Sequence, residues 1–533
     1  MWEVISAVTS IHLSLPRWRA STFVCLLVLA ASLLLVVVTS LLTPMKDDIA
    51  WLLYVAEQWL RGRHLYVDLV EVNPPLIIWL YAVPVAVADA LGGQAGGGQA
   101  GLVALPMFLM LVLGFSWWAA CLARRPGAPF DDRVAVFAVI ASVLLLIPGE
   151  EFGQREHLLV VLALPYLALV AAELGGARPA RAHAVLAGLL AALGCALKPR
   201  YLIAFGLVEA VAFLQGLRPI RPATLAASAL LAVYGAAIVV LEPAFLRDAV
   251  PMALALYGGT DAALGDLVFD CRVMLFAVAV GLVLLTTKPA PNEDRRQVAV
   301  LLAFAAGAAL VCIIQGKNWF YHRIPAIVTA LLALFAWAAP RLRQPWRLQW
   351  RRSAPVLLAT LAVGAAGLSA YERLRPRLEI AIERQATVQQ KLIDLVRREH
   401  ATSYLAMSEM LALGFPVVNN TGVAWGSRFD SMWALKGELW RAREDGRAPV
   451  QWPVGRWVAQ DFLAACPDIV VVDRREPGLD YVAILSHADR DFVRIWSAYE
   501  RIASFDGLQV FRRNKHHPVA GCGALHGALK LAG

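Results

Sequence analysis

Charge is scarce in this chain. Only 17% of its 533 residues are Asp, Glu, Lys or Arg, and 59% are hydrophobic; no ordinary soluble domain has that balance. A long basic segment is also missing, which argues against nucleic acid as a partner. The net charge of +9 is broken into short clusters between apolar runs: Arg124/Arg125, Arg178/Arg181, Arg218/Arg221, Arg295/Arg296, Arg341/Arg343 and 347–352. The seven cysteines show no C-x-x-C or Cys/His metal spacing. Five lie in or beside apolar runs and read as small core residues; Cys466 and Cys522 share the tail, where a disulfide is open if the tail lies outside. Residues 92–98 (GGQAGGG) lack the Lys-Ser/Thr of a phosphate loop and read as a flexible break. No small-residue cleavage pattern follows the first apolar run, 23–42, so it reads as a retained helix and not a removed signal.

What is present is a series of apolar runs from residue 21 to about 370, the clearest of about 17–22 residues, long enough to cross a bilayer as helices. Placing residues 16–19 in the cytoplasm and keeping the arginine clusters inside orders them. The runs 23–42, 102–121, 134–147, 158–172, 184–197, 201–217, 225–241, 273–285, 298–314, 324–339 and 355–370 alternate in direction, which predicts about eleven spans. The stretch 76–91 is short, contains Pro84 and meets Asp89; it is expected to lie on or dip into the outer face. The expected fold is therefore an α-helical polytopic membrane protein, with residues 1–370 as the membrane domain. Its outer loop spans 43–100, and residues 371–533 form an extracytoplasmic α/β domain.

This bookkeeping puts four polar clusters on one face. The first loop, 43–75, reads TPMKDDIAWLLYVAEQWLRGRHLYVDLVEVNPP and holds five acids. The others are 150–157 (EEFGQREH), Lys198-Pro199-Arg200, and 317–323 (KNWFYHR). Ionisable groups at this depth are costly and mark function; the plain alternative is solvated loop ends. An outward-facing enzyme has no nucleotide pool, so a sugar donor must ride on a polyprenyl phosphate. Transfer needs a base for the acceptor, cations for the departing phosphate and an apolar groove for the prenyl chain. Arginine forks and lysine point charges suit the phosphate.

These residues resemble the integral-membrane glycosyltransferases of the GT-C fold. They are similar above all to the bacterial branch related to protein O-mannosyltransferases and the aminoarabinose transferase of lipid A. That family carries an Asp-Glu pair after the first helix, an aromatic, a Gly-x-x-Tyr step, and Lys-Pro-Pro-Leu opening a further helix. Here stand Asp47-Asp48, Trp51, Gly62 to Tyr66 with one extra residue, and Asn73-Pro74-Pro75-Leu76, with Asn in place of Lys. Arg61, Arg63 or Lys198 are candidates for the missing cation. A second acid after the third span matches Glu150, Glu151 or Glu156. Lys198-Pro199-Arg200 fits a Lys-Gly-Pro-like break without its Gly, and Tyr321-His322-Arg323-Ile324-Pro325 fits a late aromatic/His-Pro segment.

The resemblance implies an inverting glycosyltransferase, multi-pass in a bacterial inner membrane, with its site and C-terminal domain in the periplasm. It implies a polyprenyl-phosphate-linked sugar donor, a lipid, glycan or protein acceptor, and a monomer. A transporter or flippase of lipid-linked saccharide is the alternative; it calls for mid-membrane sites and inverted repeats.

On this reading Asp47, Asp48, Glu150 and Glu151 are the catalytic candidates, with Asp47 as base by its position. One of the two aspartates is also expected to cap a helix starting near Ile49. Arg155, Lys198, Arg200, Lys317, His322 and Arg323 are the phosphate candidates. Trp51, Arg61, Arg63, His64, Tyr66, Asp68, Glu71, Asn73 and Tyr321 are candidates for acceptor or sugar, though Tyr321 with Trp319 and Phe320 also suits an interfacial aromatic belt. No metal site is expected. A divalent cation is compatible with the fold, but the acids give no defined ligand set. In the tail, 469–473 (IVVVD) and 508–512 (LQVFR), the latter after an Asp506-Gly507 turn, read as strands. Residues 371–399 read as a charged helix. Residues 242–270 are a candidate lid, and 415–430 are expected to face the acceptor.

Overall fold

The computed structural model describes residues 20–92, 97–123, 132–290, 293–342, 350–384, 386–444, 451–476 and 478–514. The charge anchors at 16–19, Arg124/Arg125 and 343–349, the glycines within 93–96, Cys522 and the chain end from 515 lie outside them.

All eleven expected spans fall on helices, but their lengths differ. Seven described helices are long and apolar enough to cross a membrane: Ser21–Leu42, Gln99–Leu122, Arg155–Leu174, Pro222–Leu241, Arg295–Gln315, Phe320–Arg341 and Ala354–Glu383. An eighth is formed if Leu264–Asp270 and Arg272–Leu285, bent by 64°, count together. Three expected spans are shorter helices, Arg133–Leu146, Arg181–Leu197 and Leu202–Leu214. The helix Leu76–Ala90 is also short. The protein is thus a polytopic helical membrane protein with seven or eight long apolar helices among its described residues. Burial separates their roles: Arg155–Leu174 is enclosed nearly throughout, whereas Pro222–Leu241 turns most of its surface outward, as a lipid-facing helix must.

Local chemistry sets the outer elements. The helix Asp47–Leu60 stops at Gly62, whose φ of +90° only glycine takes readily. Tyr66 holds the left-handed region at φ +66°, a conformation unfavourable for a bulky residue. Its backbone N–H donates to the Leu69 carbonyl (2.8 Å) and its hydroxyl to the Asn73 carbonyl (2.7 Å), which fixes it. Pro74 and Pro75 then start the helix Leu76–Ala90.

The C-terminal unit holds a five-stranded sheet ordered β2-β1-β3-β5-β4. β1 (Ser403–Met407) runs parallel to both β2 (Ala424–Trp425) and β3 (Ile469–Asp473), while β3 pairs antiparallel with β5 (Leu508–Arg513). β4 (Tyr499–Phe505) and β5 form a hairpin across Asp506-Gly507, both at positive φ. Helices cover the sheet. The helix Trp350–Glu383 passes without a break through the expected boundary at 370/371. Cys466 is disulfide-bonded.

The sheet domain sits directly on the outer loop. Phe415 packs edge-on against Trp51 at 5.0 Å, Asn419 Nδ2 donates to the Ala50 carbonyl (2.9 Å), and the Val70 N–H donates to the Arg428 carbonyl (2.8 Å). Trp433 meets Tyr257 at 4.6 Å. The tail domain thus packs over the start of the helix Asp47–Leu60 and over the segment Tyr257–Thr260.

Candidate active site

The helix carrying the acid pair begins at Asp47 itself, with Lys46 at its N-cap and no side-chain cap. The expectation of an aspartate cap before Ile49 is therefore corrected: both acids lie in the first turn, where the helix dipole favours them. Successive helical residues diverge, and here they look into different surroundings. Asp47 Oδ1 accepts the Asp48 N–H (2.9 Å) and lies 3.4 Å from Lys46 Nζ. The same ammonium reaches Glu151 at 3.4 Å and Glu150 at 3.8 Å. Burial lowers the proton affinity of Lys46, but Asp47, Glu151, Glu150 and Asp48 outweigh it and raise it overall. Glu151 is pushed up to about 8, by burial first and against the pull of Lys46.

Asp48 turns the other way. Its Oδ2 accepts from Gln154 Nε2 at 2.8 Å. Burial and then the neighbouring Asp47 raise its affinity for a proton, while Arg155 and Lys46 oppose the rise. Beyond Gln154, three ionisable residues open the helix Arg155–Leu174, and Arg155, Glu156 and His157 are all buried. Glu156 is paired closely with Lys198, and its Oε1 lies 3.5 Å from His322 Nε2. His157 Nδ1 accepts the Gly153 N–H at 3.0 Å.

Arg155 differs from Lys198, Lys317 and Arg323, each of which has a hydrogen-bond partner. It is 5% exposed, yet among the described residues it makes no hydrogen bond and no ion pair, and its Nε is buried without a partner. Its guanidinium lies 5.8 Å from the Tyr321 ring centroid, and the Lys198 ammonium lies 5.4 Å from the same ring. Glu156 Oε2, His157 Nε2 and His322 Nδ1 are likewise buried without partners among the described residues. Buried polar atoms without partners call for an explanation, and a bound polar ligand beside Arg155 is one. Lys198, at the end of the helix Arg181–Leu197, is lowered to about 8 by burial and by Arg155, against the pull of Glu156.

The other phosphate candidates are placed differently. Lys317 is committed to the segment Tyr257–Thr260 and its neighbour: it donates to the Tyr257 carbonyl and to Thr260 Oγ1 (2.8 Å), and pairs with Asp261. Arg323 is held by Asn318, which is itself held by Asp270. Arg200 is exposed beside Lys198. The cations therefore form two groups, Arg155 with Lys198 around Tyr321, and Lys317 with Arg323, each tied to partners of its own.

Residues of the first loop divide in the same way. Glu71 is buried and accepts Trp51 Nε1 at 2.6 Å and the Asn73 N–H at 2.8 Å; burial raises its proton affinity against the pull of Arg155. Asn73, standing where the resembled family has Lys, also donates its amide to Glu71, so here it braces a turn. Trp51 packs with Tyr54 and Phe415. Arg61 pairs with Glu57 at 2.6 Å. Arg63 Nη2 donates to the Asp68 carbonyl at 3.4 Å, and Asp68 Oδ2 accepts the His64 N–H at 2.8 Å. These last four residues make a local turn whose partners are not those of Arg155.

The tail adds a residue that sequence reading did not single out. Asp430 accepts Trp433 Nε1 at 2.8 Å, and burial, Glu71 and Asp48 raise its proton affinity strongly. It belongs to the segment 415–430 expected to face the acceptor. Tyr257, from the expected lid, joins it through Trp433. Among the described residues no group of three or more His, Cys, Asp or Glu could hold a metal ion.

No family profile matches the chain, and no curated protein matches it. Solved structures do. ArnT from Cupriavidus metallidurans, in a crystal structure bound to undecaprenyl phosphate, aligns with a TM-score of 0.54 at 12% identity, over 92% of this chain and 98% of that one. The arabinofuranosyltransferase AftD from Mycobacteria aligns with a TM-score of 0.41 at 14% identity, over 92% of this chain and 40% of that one. The likeness to ArnT gives the fold: this is a polytopic helical membrane protein that shares the fold of that structure and carries a small C-terminal sheet domain.

Proposed function

We propose that the protein is an inverting glycosyltransferase. In this reading it moves a sugar from a polyprenyl-phosphate donor to an acceptor on the periplasmic face of a bacterial inner membrane. The observation that carries the reading is Arg155, a buried cation whose Nε has no hydrogen-bond partner among the described residues, beside Lys198 at the Tyr321 ring and within the field of Glu156, Asp48 and Glu71. The donor phosphate lies on Arg155 and Lys198. The acceptor oxygen attacks the anomeric carbon from the opposite face, its proton passes to a carboxylate, and the bond from that carbon to the phosphate oxygen breaks. The electron pair leaves with the phosphate, where the two cations stabilise the growing charge.

Position in the sequence gives the base role to Asp47. The surroundings of the pair favour Asp48, because Asp47 is engaged by Lys46 and a first-turn N–H while Asp48 faces Arg155. A carboxylate with raised proton affinity is also the better base at neutral pH. Glu151 and Lys46 hold the charge balance behind the pair, and Glu71 and Asp430 line the sugar side. What supports the lipid-linked donor is the ArnT structure, whose own ligand is undecaprenyl phosphate.

The test is turnover of a polyprenyl-phosphate sugar by the purified protein. The reading expects release of polyprenyl phosphate with glycosidic bond formation, lost in Arg155→Ala. Transfer at full rate without Arg155 overturns it.

A further inference from the structure

On sequence, five cysteines read as small core residues; the structure sets two of them against each other. Cys271 lies at the bend between the helices Leu264–Asp270 and Arg272–Leu285, and Cys312 in the last turn of the helix Arg295–Gln315. Their sulfurs are 3.9 Å apart, both residues are fully buried, and both thiols are free. Sulfurs in contact need only about 2 Å of further approach to bond. The packing that brings them together is regular. Gly281 on one helix lies so close to Leu302 on the other that a Cβ there collides with its side chain. Cys271 stands ten residues before Gly281 and Cys312 ten residues after Leu302, so both contacts belong to one antiparallel packing of the two helices.

The pair stands at the end of the helices that meets the tail domain. Just beyond Cys312 the Gly316 carbonyl accepts the Ala262 N–H (2.9 Å), Lys317 donates to the Tyr257 carbonyl, and Tyr257 meets Trp433 of the tail. Cys466 of that tail is disulfide-bonded, as cysteines are where the compartment is oxidising. Arg323 reaches Cys271 as well as Asn318, which puts a positive charge where an attacking thiolate forms.

We propose that Cys271 and Cys312 are a disulfide site, closed by thiol–disulfide exchange with a protein disulfide on the face that carries the tail domain. One thiolate attacks the exchanging disulfide, and the second displaces the mixed disulfide that results. One S–S bond forms in this chain and one is reduced in the exchanging protein, which takes up two electrons and two protons. Both side chains are closed off in the folded protein, so the exchange precedes the docking of the bent helix on its neighbour. The bond ties the bend at Cys271 to the end of the helix Arg295–Gln315, immediately before the segment 316–323 that carries Lys317, Tyr321 and His322. It does not depend on the proposed glycosyl transfer.

The test is a peptide map of the full-length protein, denatured in N-ethylmaleimide directly from membranes and digested with trypsin without reductant. The peptides 248–272 and 297–317, each with one cysteine, should appear as one linked species that separates on reduction. Cys271→Ser and Cys312→Ser should each lower the melting temperature by about 5 °C. The double variant should fall no further, since either change alone removes the same bond. Recovery of the two peptides separately, each carrying N-ethylmaleimide, overturns the site, and so do single losses that add in the double variant. If a variant fails to fold, the map of the unaltered protein decides alone.

Discussion

Single residues carry the chemistry of this account, and they separate by whether their charge is already satisfied. Lys317 and Arg323 have the right charge and face, yet each is held by partners of its own. Arg155 is not. Arg155→Ala is therefore expected to weaken polyprenyl-phosphate binding about tenfold or more and to lower turnover about 10²–10³-fold. Arg155→Lys should recover part of that loss, since it keeps the charge without the fork. Turnover and ligand binding measured on the same preparations check both. The acid pair gives a second prediction. Asp48→Asn should lower turnover by about 10²–10⁴-fold, as removal of a general base does, with Asp47→Asn costing clearly less; the reverse order returns the base to Asp47.

Lys198 gives a prediction in pH. Its folded value, lowered to about 8, means it is a cation below that pH and neutral above it. Glu156, Arg155 and Arg200 face it. The sugar donor is a phosphodiester and is fully ionised throughout this window, while the released polyprenyl phosphate, a monoester, completes its ionisation near pH ~6, so neither ligand changes charge here. Donor affinity should fall as pH rises through 8, and Lys198→Arg should remove that fall, measured by binding across pH 7–9. At this scale the sequence was legible wherever a charge stood at the edge of an apolar run, as with Arg155, Lys198 and the acid pair. It was not legible where a partner comes from far along the chain. Nothing near Lys317 announces Tyr257, and nothing near Asp48 announces Asp430.

At the scale of elements, periodicity and turn chemistry told most where they were strongest. β3 is a run of β-branched residues, and β5 follows an Asp-Gly turn, so both were expected. β1 (SYLAM) and β4 (YERIASF) mix helix formers with strand formers, and β2 has two residues; tertiary pairing alone makes them strands. The apolar runs located the helices but not their lengths, because hydropathy does not distinguish a lipid-facing span from a shorter buried helix. Close packing between elements is equally invisible in sequence. Gly437, on the helix Trp433–Glu444, lies so close to the Leu256 carbonyl that a Cβ has no room. Gly437→Ala should loosen the tail domain from the segment 250–260. Faster hydrogen exchange across that segment is the expected readout, and unchanged protection there contradicts the docking described.

The candidate site is assembled from distant pieces of the chain. The first loop supplies Asp48 and Glu71, the helix Arg155–Leu174 supplies Arg155, Lys198 and Tyr321 stand beside it, and the tail domain adds Asp430 and Trp433. The order of polar clusters was readable in the sequence, and the structure brings the acid pair, 150–157, Lys198 and Tyr321 into contact. Their division into a committed group and an open group was not readable, because it depends on which cation meets which carboxylate after folding.

The most direct measurement is a structure of the protein with undecaprenyl phosphate bound. The account predicts the phosphate against Arg155 and Lys198, above the Tyr321 ring and open toward Asp48. A phosphate held instead between Lys317 and Arg323, with Arg155 left untouched, would contradict it.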